Sequence, residues 1–131
     1  MRSSDLLQAQ MLKTMRASSI LSQAVEGRIY DTERMEFPSA WVSVTATDPE
    51  GGALPLLATV HVWKRTGKQE MQTLTQEVAS IFAHQPLLEG ARFEDWKLDF
   101  TEVRLNEELA ACRGLVRFRC TMCSEPSLEL T

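Results

Sequence analysis

The order of apolar and polar positions along the chain predicts a helix, a pair of strands, a second helix and a second pair of strands. Leu7, Met11 and Met15 recur at helical spacing within residues 5–24, as expected for an amphipathic helix with one buried face. Gly27 is expected to end this helix, because glycine adopts a left-handed backbone at little cost. A short extended piece should follow it.

The first pair of strands is predicted from alternation. Val42, Val44 and Ala46 share one side of a half-buried strand that begins at Ala40. After a dense turn signal, residues 56–64 alternate again. One face of this second strand carries Leu56, Ala58, Val60 and Val62, and the other carries Leu57, Thr59, His61 and Trp63.

The turn between these strands makes an antiparallel hairpin the expected arrangement. Gly51 and Gly52 give residues 48–55 conformational freedom, while Leu54 offers an apolar group for docking. We therefore expect a mobile hairpin tip that a partner orders.

The second helix, over residues 67–84, has the clearest periodicity. Its apolar stripe contains Met71, Leu74, Val78, Ile81 and Phe82. Thr66 and Gln69 have the spacing of a capping box at its start.

The last third of the chain predicts two more strands around a polar turn at residues 106–108. Trp96, Leu98 and Phe100 alternate with polar positions that include Asp99. In the final strand the apolar face is expected to carry Val116, Phe118 and Cys120. The predicted fold class is therefore α+β. It is a two-layer sandwich with a four-stranded, mainly antiparallel sheet and two helices on one face. Residues 1–123 would form this one domain and residues 124–131 a flexible tail.

Composition narrows the function. A net charge of −4 over 131 residues argues against a general nucleic-acid-binding domain. No apolar run reaches the roughly 18 residues that suggest a membrane span, and the N-terminal pattern does not favour a secretory signal. Three cysteines near the C-terminus do not form a disulfide framework, which favours a reducing, intracellular origin.

Candidate chemistry is sparse. Cys120 and Cys123 form a CxxC, but a structural zinc site usually needs four ligands, and only Cys112 could be a third. The two histidines, His61 and His84, are far apart in sequence, and no nucleophile or carboxylate partner is nominated for either. We expect no catalytic residues, no cofactor and no metal, and packing roles for the cysteines.

Two features favour an interaction surface. Helices that cover one face of the sheet would leave Leu57, His61 and Trp63 on the other, and such residues on an exposed face suggest a protein interface. The final strand adds Arg113, Arg117 and Arg119. These arginines could pair across strands, with Asp99 on the matching face. Alternatively, they could contact an acidic subunit or DNA phosphates.

The ordered set of these segments resembles the tail-completion, or tail-terminator, family of long-tailed phages, prophages and gene transfer agents. The resemblance covers residues 5 to 122. It is carried by the N-terminal helix running into Gly27-Arg28-Ile29-Tyr30-Asp31, by Phe37-Pro38 opening a strand, by Val60-His61-Val62-Trp63-Lys64-Arg65, and by Arg113-Gly114-Leu115-Val116-Arg117-Phe118-Arg119.

The resemblance implies a structural particle protein. Such a protein would form a ring, typically a hexamer, on the head-proximal end of the tail tube, end tube polymerisation and join the tail to the head. Its partners would be itself, the tail tube protein and the connector, with DNA passing through the lumen, and its location the particle or the bacterial cytoplasm during assembly. The alternatives are a head-completion adaptor of the neck and a small-ligand-binding α/β domain or enzyme.

Overall fold

A computed structural model describes residues 3–31, 40–47, 56–83, 91–108 and 110–124, with the backbone alone for residues 3, 91–94 and 122–124. Its helices are α1 (Ser3–Arg16), α2 (Ser19–Ala24) and α3 (Lys68–Ile81). Its strands are β1 (Ile29–Tyr30), β2 (Ala40–Thr47), β3 (Leu56–Lys64), β4 (Ala91–Asn106) and β5 (Ala111–Ser124). The predicted mobile hairpin tip, with Gly51, Gly52 and Leu54, lies outside the described residues, as do His84 and the tail from residue 125.

The strands form one mixed sheet in the order β1-β2-β3-β5-β4. The α+β class is as predicted, but the sheet has five strands instead of four. The additional strand, β1, pairs in parallel with β2, through Ile29 opposite Val42 and Tyr30 opposite Ser43. The other three pairings are antiparallel. A two-residue strand is too short for alternation to reveal it.

The helices cover one face of the sheet, as the sequence predicts. Their buried side chains join those of the strands in a single core. Because the side chains of a strand alternate between faces, the even-numbered residues of β2, β3 and β5 point into this core. Its main members are Leu7, Met11, Met15, Leu21, Val42, Val44, Val60, Val62, Met71, Leu74, Val78, Phe82, Val116, Phe118 and Cys120.

The N-terminal helical region is broken where a single helix was predicted. Backbone helix geometry stops at Arg16, and Ser18 adopts an extended conformation. The Ser18 hydroxyl then accepts a hydrogen bond from the Leu21 amide at 3.2 Å. Serine is a favoured N-cap because its oxygen satisfies an otherwise unpaired amide of the first turn. The break is therefore caused by the N-cap at Ser18, which the helical spacing of the apolar residues does not reveal.

The Gly27-Arg28-Ile29 segment fixes β1 to the rest of the sheet. Gly27 has φ of 77°, as expected for a residue that ends a helical region. Arg28 Nε donates to the Ala40 carbonyl at 2.7 Å, and the Arg28 carbonyl accepts from the Val42 amide at 2.9 Å. Ile29 then enters the main core. These residues are therefore held by backbone geometry and hydrogen bonds local to the β1–β2 pair.

Helix α3 begins differently from the predicted capping box. Its N-cap is Gly67, which has no side-chain cap. The Thr66 hydroxyl bonds instead to the Glu70 carboxylate, which also pairs with Lys64 Nζ at 2.6 Å. These two hydrogen bonds lower the pKa of Glu70, with that from Lys64 the larger cause. The ion pair joins the end of β3 to the first turn of α3.

Gly114 allows α3 to lie close against β5. A Cβ atom placed there would be 2.5 Å from Thr75 Cγ2 and 2.8 Å from Met71 Sδ. We expect Gly114→Ser to lower the free energy of unfolding by about 1–3 kcal/mol, as overpacked cores do. Gly67→Ser is the matched control, because a Cβ at Gly67 meets nothing within 4 Å and serine is a good N-cap. Urea unfolding followed by circular dichroism measures both; equal stabilities would contradict the close approach.

An aromatic cluster attaches β4 to the core. The Trp96 ring stacks on Phe118 with centroids 5.0 Å apart, and Phe82 meets Phe118 edge to face at 5.5 Å. Trp96 Nε1 also donates to the Phe82 carbonyl at 2.9 Å. This bond satisfies the indole and occupies a carbonyl at the C-terminal end of α3.

None of the helices in the described ranges is long and apolar enough to cross a membrane.

Candidate interaction surface

The sheet face turned away from the helices is called here the open face. Register places on it the odd-numbered residues of β2, β3 and β5 and the residues of β4 that lie opposite them. The exposed and half-buried residues of this face include Leu57, His61, Lys97, Phe100, Glu102, Arg104, Arg113, Leu115, Arg117, Arg119 and Thr121.

One corner of this face is buried, which corrects the expectation that Trp63 is left uncovered. Trp63 is 5% exposed and Trp41, directly opposite it on β2, is 2% exposed. They form a second, smaller core with Ala111, and Tyr30 packs against it. Alternation gives the face that a tryptophan occupies but not what covers that face. Trp63 is therefore a core residue of the single chain.

The other two predicted residues of β3 are more accessible. Leu57 and His61 are each half-buried. His61 Nδ1 lies 3.5 Å from the Arg113 guanidinium, its neighbour in the direction of β5. Leu57 and His61 therefore remain available as parts of a contact surface. Trp63 is buried and can contribute to such a surface only indirectly, through its packing.

Strand β4 contains two irregularities that change the predicted pairing. Its register with β5 shifts between Glu94 and Lys97 and again between Leu98 and Phe100. Asp95, with φ of 56°, lies in the first shift and Asp99 in the second. An aspartate tolerates a left-handed backbone better than most residues, and bulges add an unpaired residue to one strand. Asp99 therefore has no register partner on β5, which contradicts the alternative in which Asp99 lies on the matching face and pairs with the arginines.

The second bulge also moves Phe100 to the open face. The simple alternation of Trp96, Leu98 and Phe100 predicted one shared side, but Phe100 lies opposite Arg117. The Arg117 guanidinium carbon lies 5.0 Å from the centre of the Phe100 ring. Arg117 Nε also donates to the Thr59 hydroxyl at 3.2 Å. This arginine is therefore held in one orientation on the sheet, at the site of a cation–π contact.

The register after the bulges places basic residues of β4 directly opposite basic residues of β5. Lys97 lies directly opposite Arg119, and Arg104 directly opposite Arg113. Arg104 also pairs with Glu102 on its own strand at 3.2 Å. Lys97, Phe100 and Arg104 were missed as surface residues by sequence reasoning. Only the register after the two bulges reveals them, and the Asp99-Phe100 step carries no residue that would signal a bulge.

Apolar side chains are also exposed at the β4 edge of the helical face. Leu98 is 49% exposed and Leu105 43%. Leu98 and Val103 line an open groove between β4 and α3, whose other wall includes Thr75 and Ala79.

Cys120 packs as a small apolar residue, as predicted. It is 1% exposed, and burial raises the pKa of its thiol to about 12. Cys112 is also fully buried, and burial raises its pKa as well. The side chain of Cys123 lies outside the described residues, so the predicted plain role of the Cys120/Cys123 pair stays a prediction.

Because the thiolate is the reactive form, neither buried thiol is expected to react in the folded protein. In a Cys123→Ser variant, iodoacetamide at pH 8 should leave Cys112 and Cys120 unmodified and should label both once urea unfolds the chain. Mass spectrometry of tryptic peptides measures this. Rapid labelling of either cysteine without urea would contradict the burial.

Two solved structures resemble this fold over nearly the whole chain. A chain from the structure of the virion of a native gene transfer agent particle has a TM-score of 0.69 and 18% sequence identity, with 93% of this chain and 98% of that chain covered. The gp17 protein of bacteriophage SPP1 has a TM-score of 0.70 and 20% identity, with 91% and 90% covered. The chain has the fold of these two phage-related proteins.

The family resemblance inferred from the sequence is thereby confirmed at the level of the fold. No family model and no curated protein matches the chain. The fold of these two proteins accounts for the segments that carried the resemblance. Gly27 and Arg28 attach β1, Val60 to Lys64 form β3, and Gly114 allows α3 to pack on β5.

Proposed function

We propose that the protein is a structural part of a phage or phage-like particle, where it forms a ring on the head-proximal end of the tail tube. The ring, of six subunits in the simplest case, would end tube polymerisation and provide the surface that joins the tail to the head. The observation that carries this proposal is the likeness of fold to two phage-related proteins, which leaves almost no part of either chain unmatched.

The described surface supports an assembly role more than a catalytic one. Arginine and apolar side chains lie next to one another on the open face, and protein interfaces are enriched in such residues. The predicted histidine and cysteines do not lie together: Cys112 and Cys120 are in the core, whereas His61 lies on the open face beside Arg113. The partners under this proposal are further copies of the chain, the tail tube protein and the head connector, with DNA passing through the ring without sequence readout.

Deletion of the gene tests the proposal. Electron microscopy of the resulting particles should show overlong tails or tails without heads, and the supply of purified protein should restore joining. Normal tails attached to filled heads would contradict it. Tails of normal length beside heads that have lost their DNA would instead indicate a head-completion adaptor.

A further inference from the structure

We propose that the open face docks head to tail on an acidic surface of a second copy of this chain. The inference rests on the proposed ring and names the surface that would build it. It starts from three observations on β4 and β5: the concentration of positive charge, the apolar groups between the charges, and the like-charged pairs across the strands.

The charge distribution makes the chain complementary to itself. Among the side chains that the structure describes, the open face and its first bulge hold five basic and two acidic residues, namely Lys97, Arg104, Arg113, Arg117, Arg119, Asp95 and Glu102. Removing these from the 14 basic and 18 acidic residues of the sequence leaves nine and 16. The rest of the chain therefore has a formal charge of −7 against +3 on this face.

The cross-strand register places Lys97 directly opposite Arg119, and like charges directly opposite each other destabilise a sheet. Asp95 lines the same surface pocket as both cations, but none of the ion pairs between described side chains joins it to either of them. Carboxylates of a partner placed over this pair would convert the repulsion into attraction, with Arg119 able to form a two-bond contact.

Apolar groups between the charges favour a protein over a nucleic acid as the partner. Phe100 is 39% exposed, and Leu57 and Leu115 are half-buried beside the arginines. A phosphate backbone offers nothing apolar to these side chains, whereas the core of a protein interface is enriched in arginine and aromatic residues. Arg117, already held by Thr59 and Phe100, would lose little conformational freedom on binding.

The sign of the charge also sets the geometry of association. Two open faces placed against each other would bring ten basic and four acidic residues together, by doubling the set given above, and would repel. A two-fold symmetric contact through this face is therefore disfavoured. A contact between the open face and a different, acidic surface is heterologous, and a heterologous contact whose rotation closes produces a ring.

The experiment compares two double variants with the same change of charge. Lys97→Glu with Arg119→Glu reverses the open face, and Lys13→Glu with Lys68→Glu reverses exposed lysines on α1 and α3. Two differently tagged copies of each chain are co-expressed, and their self-association is measured by co-purification and native mass spectrometry. Measurements are made at low ionic strength and at about 1 M salt, where the screening length falls to about 3 Å.

We expect wild-type copies to associate at low salt and to separate at high salt. The open-face variant should bind its copies at least about tenfold more weakly, as loss of a central arginine contact does, while the α1/α3 variant should behave as wild type. Circular dichroism establishes that both variants are folded. Undiminished association of the open-face variant, or no association of wild type at either salt concentration, would overturn the inference.

A parallel titration with a duplex DNA of random sequence separates the two kinds of partner. DNA binding that the open-face variant abolishes, with self-association intact, would assign this face to nucleic acid and overturn the inference. The gene deletion tests the ring function separately from the docking surface. Overlong tails in the deletion strain, together with full association of the open-face variant, would support the ring function and reject only this surface.

Discussion

Replacement of Trp63 by aspartate is expected to unfold the isolated chain or to lower its free energy of unfolding by about 4 kcal/mol or more. Two costs add at this position. Removing a buried tryptophan ring costs about 3–5 kcal/mol. Burying a carboxylate at this position adds a desolvation cost, which Arg113, directly opposite on β5, offsets only in part. Trp63 is 5% exposed between Trp41 and Ala111. Denaturant unfolding monitored by circular dichroism gives the difference.

Leu57→Asp is the matched control on the same strand and the same face. Leu57 is half-buried and lies opposite Arg119, so the new carboxylate gains a cation and keeps contact with water. We expect a change within about 1 kcal/mol. A Trp63→Asp chain as stable as wild type would show that the tryptophan cluster is not a core and would return Trp63 to the interface.

Phe118→Ala is expected to be the second most damaging of these changes, with a loss of about 3–5 kcal/mol. Phe118 is 1% exposed and contacts both Trp96 and Phe82. Its removal deletes two aromatic contacts, each worth about 0.5–1.5 kcal/mol beyond the buried area, and it loosens the attachment of β4 to α3.

Phe100→Ala serves as the control, because it removes the same ring from the open face of the same hairpin. Phe100 is 39% exposed and its ring contacts Arg117, so about 1 kcal/mol or less should be lost. Thermal unfolding of the two variants beside wild type compares them. Equal melting temperatures for Phe118→Ala and Phe100→Ala would contradict the aromatic cluster.

The predictable part of the fold is the part in which one period runs uninterrupted. Met71, Leu74 and Val78 are buried on one side of α3, and β2, β3 and β5 place their even residues in the core as alternation requires. In these elements the structure is determined by which side chains are buried. A hydrophobic pattern in the sequence indicates those side chains directly.

The features that the sequence did not predict depend on single residues or on distant partners. β1 has two residues and is held by Arg28 and by the neighbouring strand. The bulge at Asp99 shifts every later side chain of β4 to the opposite face, because a one-residue slip inverts a strand. The surface prediction failed at Trp63 for a related reason. Alternation shows on which face of the sheet a side chain lies, but not whether other residues cover that face.

Both edges of the sheet carry features that hinder the addition of a further strand. On the β1 side, Arg16 donates two hydrogen bonds to the Ile29 carbonyl, at 3.2 and 2.8 Å. Beyond the end of β1, the Ala46 backbone N–H donates to Gln8 Oε1 at 2.8 Å. On the other side, the β4 bulges at Asp95 and Asp99 interrupt the edge with acidic residues, a known means of preventing strand addition.

Edge positions that are already bonded or bulged hinder the strand-to-strand pairing by which subunits grow into fibrils. Backbone hydrogen bonds between the edge strands of two subunits depend little on side-chain identity and are hard to reverse. Side-chain contacts between subunits can dissociate and form again until the correct neighbour is bound. Arg16 and Gln8, both on α1, thus bear on the reversibility of assembly. Their loss would show first as slow aggregation of stored protein.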